Sequence, residues 1–222
     1  RKGAIAIDEG AFWMGKKGFF SFDGSVATEI ACEVADYVFD DMNPSQKTKV
    51  YAVHNSQYGE IWWFYASASS TENDRYVTLD YKEGHWATGE LNRTAGVDIG
   101  IFTNPIWADA SGNLYNQETG YTHTGSAKPF AESGSITLGN GDAIMKVNQL
   151  IPDERTQGQV AVTFKTRFHP NDTETVHGAF TLTNPTDVRF TGRQVRVKIQ
   201  GVANDNWRSG IMRIDANPGG KR

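Results

Sequence analysis

Residues 60–65 read EIWWFY, inside the segment KVYAVHNSQYGEIWWFYASASSTENDRYVTLDYKEGHWATGEL of residues 49–91. Similar aromatic runs recur around Trp13 and Trp107, which lie 50 residues before and 44 residues after Trp63. These intervals fall in the range of a propeller blade. A single blade cannot cover both faces of its own sheet, so each aromatic strand needs a neighbouring blade. The spacing therefore predicts blades that pack against one another.

Turn-rich segments divide the first half of the chain into three units of strand-like runs. Three units are too few to close a ring, because propellers use about four to eight blades. We therefore expect either further blades before Arg1 or an open array of sheets. Residues 34–43 predict one short helix that ends before Pro44. The predicted strands are Ala4–Asp8, Ala11–Gly15, Gly18–Phe22 and Ser25–Ile30, then Lys49–Asn55, Glu60–Ser67, Arg75–Tyr81 and His85–Leu91, then Val97–Phe102, Pro105–Ala108 and Asn113–Gln117.

The aromatic repeat stops near Tyr121, and polar, turn-rich residues follow as far as Pro129. We place a domain boundary between residues 125 and 126. Alternating apolar and polar residues beyond it predict further strands, namely Phe130–Leu138, Ala143–Ile151, Gln159–Phe168, Ala179–Leu182, Val188–Phe190, Gln194–Val202 and Ile211–Asp215. The predicted fold is all-β: a partial β-propeller of about three four-stranded blades in residues 1–125, followed by a small antiparallel β-sandwich in residues 126–222.

The composition is that of an ordinary globular protein, with 38% hydrophobic and 22% charged residues and a net charge of −4. No apolar run approaches the roughly 20 residues of a membrane span. The sequence shows no basic stripe, which a tight sequence-independent nucleic-acid binder would need. The single cysteine, Cys32, excludes an intramolecular disulfide and a cysteine cluster for zinc, and we interpret it as a small buried apolar residue. Because the chain opens at Arg1 without an initiator methionine, we expect a longer protein.

The sequence offers little support for catalysis. The histidines show no metal-binding or His-Glu-x-x-His spacing, and we expect His169 and His177 to be exposed at turns. There is no Gly-x-Ser-x-Gly motif. Paired carboxylates at blade ends remain a route to glycoside hydrolysis, and the candidates are Asp8, Glu9, Asp98, Asp109 and Glu118. We predict that the protein is not an enzyme and has no catalytic, cofactor-binding or metal-binding residues.

Asp109 needs a separate interpretation. The turn Asp109-Ala110-Ser111-Gly112-Asn113 loosely resembles the aspartate-box turn of sialidase-like propellers, but it lacks the serine two residues before the aspartate. A side chain that caps a tight turn explains Asp109 without catalysis.

Several strings resemble the tail hub or nozzle proteins of short-tailed bacteriophages, of the packaged-DNA stabilisation type. They span most of the chain, and none of them is a catalytic motif. The strings are Ala11-Phe12-Trp13-Met14-Gly15, Tyr37-Val38-Phe39-Asp40, Glu60-Ile61-Trp62-Trp63-Phe64-Tyr65-Ala66-Ser67, Glu72-Asn73-Asp74-Arg75-Tyr76-Val77 and Asn206-Trp207-Arg208-Ser209-Gly210-Ile211-Met212-Arg213-Ile214-Asp215.

The resemblance implies a structural protein of the virion tail, assembled in the bacterial host cytoplasm. It implies a ring, as a hexamer, below the portal and the tail adaptor protein, with attachment points for fibres or spikes. Genomic DNA would be retained by the ring and would pass through its lumen without specific binding. The alternative is a carbohydrate-binding or carbohydrate-cleaving propeller of a tail fibre, which would place aromatic side chains and carboxylates together on one rim. Fold alone does not decide between these functions.

Overall fold

The computed structural model describes residues 2–122, 128–137, 143–183 and 185–221. The chain is 51% strand and 6% helix, and its strands form several antiparallel sheets, so the predicted all-β fold class is confirmed. It divides into two compact units, residues 1–120 and residues 121–222. The predicted boundary between residues 125 and 126 lies outside the described residues.

The first unit contains three antiparallel sheets that follow one another along the chain, and each sheet pairs its strands in chain order. The first sheet contains β1 (Ala4–Ile7), β2 (Gly10–Met14), β3 (Phe19–Phe22) and β4 (Ala27–Ile30). The second contains β5 (Tyr51–Asn55), β6 (Glu60–Tyr65), β7 (Arg75–Asp80) and β8 (His85–Glu90). The third contains β9 (Ala95–Val97), β10 (Ile106–Ala108) and β11 (Leu114–Asn116). The helix α1 (Ala35–Asp41) and a 3₁₀ helix (Pro44–Lys49) connect the first sheet to the second.

The strands of the first two sheets agree with the predicted ones to within two residues at each end, and the helix ends before Pro44 as predicted. The predicted strand Val97–Phe102 is wrong, because β9 ends at Val97 and the following residues form bends. The Asp98 carboxylate accepts a hydrogen bond from the Ile99 amide at 2.7 Å. A local acceptor of this kind competes with the sheet for backbone donors, so the strand stops there.

The first strands of the three sheets lie side by side, β1 beside β5 and β5 beside β9. The Ala52 amide donates to the Lys2 carbonyl at 2.8 Å, and the Tyr51 hydroxyl donates to the Gly96 carbonyl at 2.8 Å. A Cβ atom at Gly96 would lie 2.5 Å from Cδ1 of Trp107, so no larger residue fits where β9 crosses this ring. Adjacent first strands are the arrangement of propeller blades around an axis.

Strand β6 is covered on both faces. Ile61, Trp63 and Tyr65 are buried in a cluster shared with the first sheet, which includes Phe19. The alternate residue Phe64 is buried in a second cluster, with Val53 and Trp107. Because successive side chains of a strand point to opposite faces, the unbroken apolar run fits a central strand between two neighbouring sheets.

The second unit is built from two facing sheets. Its strands are β12 (Phe130–Glu132), β13 (Ile136–Thr137), β14 (Ala143–Pro152), β15 (Val160–Arg167), β16 (Thr175–Thr181), β17 (Thr186–Gly192), β18 (Gln194–Gly201) and β19 (Met212–Lys221). One sheet has the order β12, β18, β15, β16 with β13 also paired to β18, and the other has the order β17, β14, β19. Phe164 of one sheet meets Phe190 of the other, with ring centroids 4.8 Å apart. The core between them also buries Met145, Val147, Leu150, Val162, Val188 and Val195.

Two predicted strands and one predicted side-chain position in this unit need correction. The predicted strand Phe130–Leu138 is divided into β12 and β13, and Leu138 itself lies outside the described residues. His177 lies within β16 and is half-buried, where its ring stacks on Phe190 at 5.1 Å, so the predicted exposed turn is wrong. Strand β19 continues through Pro218, which an edge strand of a sheet tolerates.

The two-sided burial of β6 predicts the effect of truncating its central side chain. Trp63 is fully buried, its ring centroid lies 5.1 Å from that of Phe19, and its Nε1 donates to the Gly3 carbonyl at 3.1 Å. We expect Trp63→Ala to lower the free energy of unfolding by about 3 to 5 kcal/mol, because the cavity cannot be refilled. Urea denaturation followed by tryptophan fluorescence measures this loss, and it reports mainly on the first unit, which holds Trp13, Trp62, Trp63, Trp86 and Trp107.

The matched control is Tyr58→Ala, which truncates an aromatic residue that is 52% exposed in the turn before β6. We expect this control to change the free energy of unfolding by about 0.5 kcal/mol or less. Equal stability of the Trp63→Ala variant and the wild type would contradict a core role for Trp63.

Candidate functional site

A polar cluster lies at one end of the first unit, between the second and third sheets. Strand β5 ends there at Asn55, β6 begins there at Glu60, and the segments after β9 and β11 bring Asp98 and Glu118 to the same end. These strands alternate in direction within their sheets, so chain segments distant in sequence emerge together. We call the residues His54, Asn55, Glu60, Asp98 and Glu118 the polar cluster.

His54 is held between a carboxylate and a phenol. Its Nδ1 lies 3.0 Å from Oδ2 of Asp98, and its Nε2 lies 3.2 Å from the Tyr81 hydroxyl. A carboxylate only accepts hydrogen bonds, so Nδ1 is the protonated nitrogen, and in the neutral ring Nε2 accepts from Tyr81. Asp98 is fixed in turn by the Ser56 amide, which donates to both of its oxygens at 3.1 and 3.2 Å.

The Tyr81 phenol lies in a negatively charged environment at this end of the first unit. Burial raises the pKa of the Tyr81 phenol, and the nearby carboxylates of Glu9, Asp98, Asp80 and Asp8 raise it further. The phenol therefore stays protonated and serves as a hydrogen-bond donor to His54. Asp8, Glu9 and Asp98, all predicted at blade ends, are therefore all close enough to Tyr81 to act on its phenol.

Asn55 joins two carboxyl groups from different sheets. Its Nδ2 donates to Oε1 of Glu118 at 2.9 Å and lies 3.4 Å from Oε2 of Glu60. Trp62 also donates from Nε1 to the same Glu60 oxygen at 2.8 Å. Asn55 is fully buried, and its Oδ1 has no hydrogen-bond partner among the described residues. The amide thus connects the start of β6 to the segment that follows β11.

The two glutamates carry shifted pKa values. Burial raises the pKa of Glu60, and hydrogen bonds from Trp62 and Asn55 oppose this shift. Burial also raises the pKa of Glu118, the charge of Glu60 adds to the increase, and the bond from Asn55 opposes it. Glu118 has a φ of 57°, in the left-handed region that is uncommon outside glycine. The carboxyl groups therefore hold protons to higher pH than isolated glutamates do.

The remaining candidate groups lie elsewhere. Asp109 follows β10, at the opposite end of the third sheet, and accepts bonds from the Ser111 and Asn113 amides, each at 2.9 Å. Its bonds with the Asn113 side chain and amide are the main cause of a pKa lowered to about 2, which agrees with the interpretation of Asp109 as a turn cap. Cys32 packs against the first cluster, and burial raises the pKa of its thiol to about 11.

Sequence reasoning found two members of the polar cluster, Asp98 and Glu118, and missed the other three. His54 and Asp98 lie 44 residues apart, so no local motif joins them. Glu60 and Asn55 stand at strand ends, where polar residues are ordinary. The predicted blades could have indicated these residues, because β5 ends and β6 begins at the same rim as the segment after β9.

Chemically, the cluster can hold and transfer protons, but its contacts also fasten the second sheet to the third. In the described ranges no group of three or more His, Cys, Asp or Glu side chains is placed to hold a metal ion. The same part of the chain contains no helix that is long and apolar enough to cross a membrane. Comparison with protein-family models and with curated protein sequences finds no match for this chain.

The raised pKa of Glu118 predicts a pH-dependent gain in stability when its charge is removed. The folded-state pKa of Glu118 lies above its ordinary value of 4.5, so the folded protein binds more protons than the unfolded chain there. Its contribution to stability therefore falls as pH rises from 4.5 through the folded-state pKa. We expect Glu118→Gln, which keeps an oxygen acceptor for Asn55, to be more stable than the wild type at pH 7 and equal to it at pH 4.

Urea denaturation at a series of pH values measures this difference. The control is Glu83→Gln, at an exposed glutamate in the turn after β7. It removes the same charge outside the polar cluster, and we expect no matching gain in stability. A Glu118→Gln variant that is less stable than the wild type at pH 7 would show that the charged carboxylate stabilises the cluster.

Proposed function

We propose that this protein is a structural component of a bacteriophage tail, part of a nozzle or hub ring below the portal and adaptor. In this proposal it has no enzymatic role. Copies of the chain form a six-membered ring, through which genomic DNA is retained and then ejected without specific binding. Fibre or spike proteins attach to the outside. The protein is assembled in the host cytoplasm and resides in the virion tail.

The observation that carries this proposal is the uncovered apolar surface of the third sheet. Its one fully buried large side chain among the described residues, Trp107, points to the second sheet, where it meets Phe64 with ring centroids 5.5 Å apart. By contrast, Leu114 is 72% exposed and Ile101 is completely exposed. Val97, on the same face of the sheet as Leu114, is exposed, and so are Ile99 and Phe102 in the segment after β9. A blade normally has a neighbour on each side, and large apolar surfaces of this kind mark contacts with other proteins.

Rigid packing between the sheets also supports a scaffolding role. Trp62 packs edge-on against Trp107 with ring centroids 5.2 Å apart, and against Tyr76 at 4.4 Å. Aromatic pairs at such separations add stability beyond the area that they bury. A ring that keeps its shape needs sheets that hold a fixed geometry. These contacts fix the geometry at the boundary between the second and third sheets.

The charge of the chain is compatible with a DNA conduit. It carries 26 acidic and 22 basic residues and a net charge of −4. DNA binds tightly to surfaces that neutralise its phosphates, and the affinity grows with the number of basic contacts. A wall with a slight excess of negative charge would let DNA slide past.

The alternative function is a carbohydrate-binding or carbohydrate-cleaving propeller of a tail fibre. The polar cluster favours it, because Glu60 and Glu118 both have raised pKa values and Glu60 accepts a hydrogen bond from the half-buried Trp62. Glycosidases use two carboxyl groups, one of which must stay protonated. Glu60 accepts from Trp62 and both carboxyl groups share the Asn55 amide, which fits a structural contact better than an open catalytic pair.

The uncovered third sheet predicts self-association of the purified chain. We expect the average mass, measured by size-exclusion chromatography with light scattering, to rise with protein concentration. Leu114→Glu should reduce this rise, because it places a charge in the contact without disturbing a buried core. The control is Val26→Glu, at a residue that is 60% exposed near the first sheet. A wild-type chain that stays monomeric, or equal association of Leu114→Glu and the wild type, would contradict this contact.

The location in the particle tests the function itself. Electron cryo-microscopy of the virion that carries this chain should show it in a ring directly beneath the portal and adaptor. Copies found in peripheral fibres instead would contradict the nozzle proposal and favour the carbohydrate-binding alternative.

A further inference from the structure

A cavity of about 550 Å³ opens at the end of the first unit opposite the polar cluster. It lies where β1 begins, where β2 ends, and beside the 3₁₀ helix that precedes β5. This volume is within the range of ligand-binding cavities. We call it the lysine groove, and its lining includes Lys2, Trp13, Met14, Lys16, Met42 and Lys47.

The base of the lysine groove is apolar and adaptable. Trp13 stacks on Phe20 with ring centroids 5.7 Å apart and an interplanar angle of 14°, so its indole is held in place. Met14 and Met42 line the groove beside it. Methionine side chains are flexible and polarisable, and they are frequent on surfaces that bind varied peptide side chains. A fixed indole flanked by methionines therefore favours an aromatic or aliphatic side chain as occupant.

The rim of the groove is basic. Lys2, Lys16 and Lys47 are all exposed, and none of them takes part in an ion pair within the described part of the chain. No acidic residue of the described chain lines the cavity. The other end of the unit is acidic, because Asp8, Glu9 and Asp98 lie there. The positive charge at the groove is therefore local to this end. Three unpaired ammonium groups around one apolar cavity favour an anionic ligand.

We propose that the lysine groove binds an acidic segment of a partner polypeptide, with an aromatic or aliphatic side chain seated on Trp13 and carboxylates paired with Lys2, Lys16 and Lys47. Nucleic acid is the competing polyanion, but single-stranded binding uses successive aromatic side chains as stacking platforms. Here one indole stands among methionines, which fits an apolar peptide side chain better. The site does not depend on the chain being a tail protein.

Fluorescence anisotropy of dye-labelled probes tests the proposal on the full chain. The main probe is a short peptide of alternating glutamate and phenylalanine, and the comparison probes replace glutamate by lysine, replace phenylalanine by serine, or are single-stranded thymidine oligonucleotides. We expect the glutamate–phenylalanine peptide to bind most tightly. Lys47→Glu should weaken its binding by about fivefold or more in low salt, since it removes one attraction and adds a repulsion.

The matched control is Lys82→Glu, which makes the same change of net charge at an exposed lysine in the turn after β7. We expect this control to weaken binding by less than about twofold. Trp13→Ala should weaken the binding of the peptide that contains phenylalanine. It should leave the weaker binding of the serine peptide unchanged. Equal effects of Lys47→Glu and Lys82→Glu, equal binding of the lysine and glutamate peptides, or tighter binding of the oligonucleotide would each overturn the proposal.

Discussion

The first unit depends on one strand that is buried on both sides. Ile61, Trp63 and Tyr65 of β6 pack against the first sheet, while Phe64 packs against the third. Each neighbouring sheet buries part of its apolar face against this strand. Its side chains contribute to the interior of both contacts, so loss of β6 would weaken the packing on both sides of the second sheet at once. Burial of this kind contributes roughly 25 cal/mol per Å² of apolar surface, and aromatic side chains supply the most surface per residue.

The boundary between the second and third sheets combines an apolar interior with polar contacts at its end. Trp107 fills the interior, and His54, Asn55, Asp98 and Glu118 form hydrogen bonds or an ion pair across the rim. Apolar packing fixes the distance between sheets without selecting their register. Directional hydrogen bonds do select it, because they are lost when the sheets slide by one residue. Selecting the register has an energetic cost: the raised pKa values of Glu60 and Glu118 mean that keeping these carboxyl groups charged in the contact costs free energy.

Much of the first unit could be predicted because its strands carry strong local signals. The unbroken apolar run at Ile61–Tyr65 and the Asp23-Gly24 turn each indicate their structure from neighbouring residues alone. The polar cluster could not be predicted in full, since His54 meets Asp98 only through the packing of separate sheets. His177 was misplaced because a histidine before glycine is typical of a turn, whereas contact with Phe190 holds it in β16. Long-range packing overrides local preference in such cases.

The short length of β11 limits how the third sheet can pair with the strands of other chains. This strand is the outer edge of the third sheet and contains only Leu114–Asn116. A long exposed edge recruits strands from other molecules and leads to aggregation, whereas an edge of this length offers few backbone groups to a stray strand. The sheet can thus present exposed apolar side chains without offering a long backbone edge for amyloid-like pairing. A contact of this sheet with another chain would therefore be selected by the shape of the side-chain surface rather than by backbone pairing.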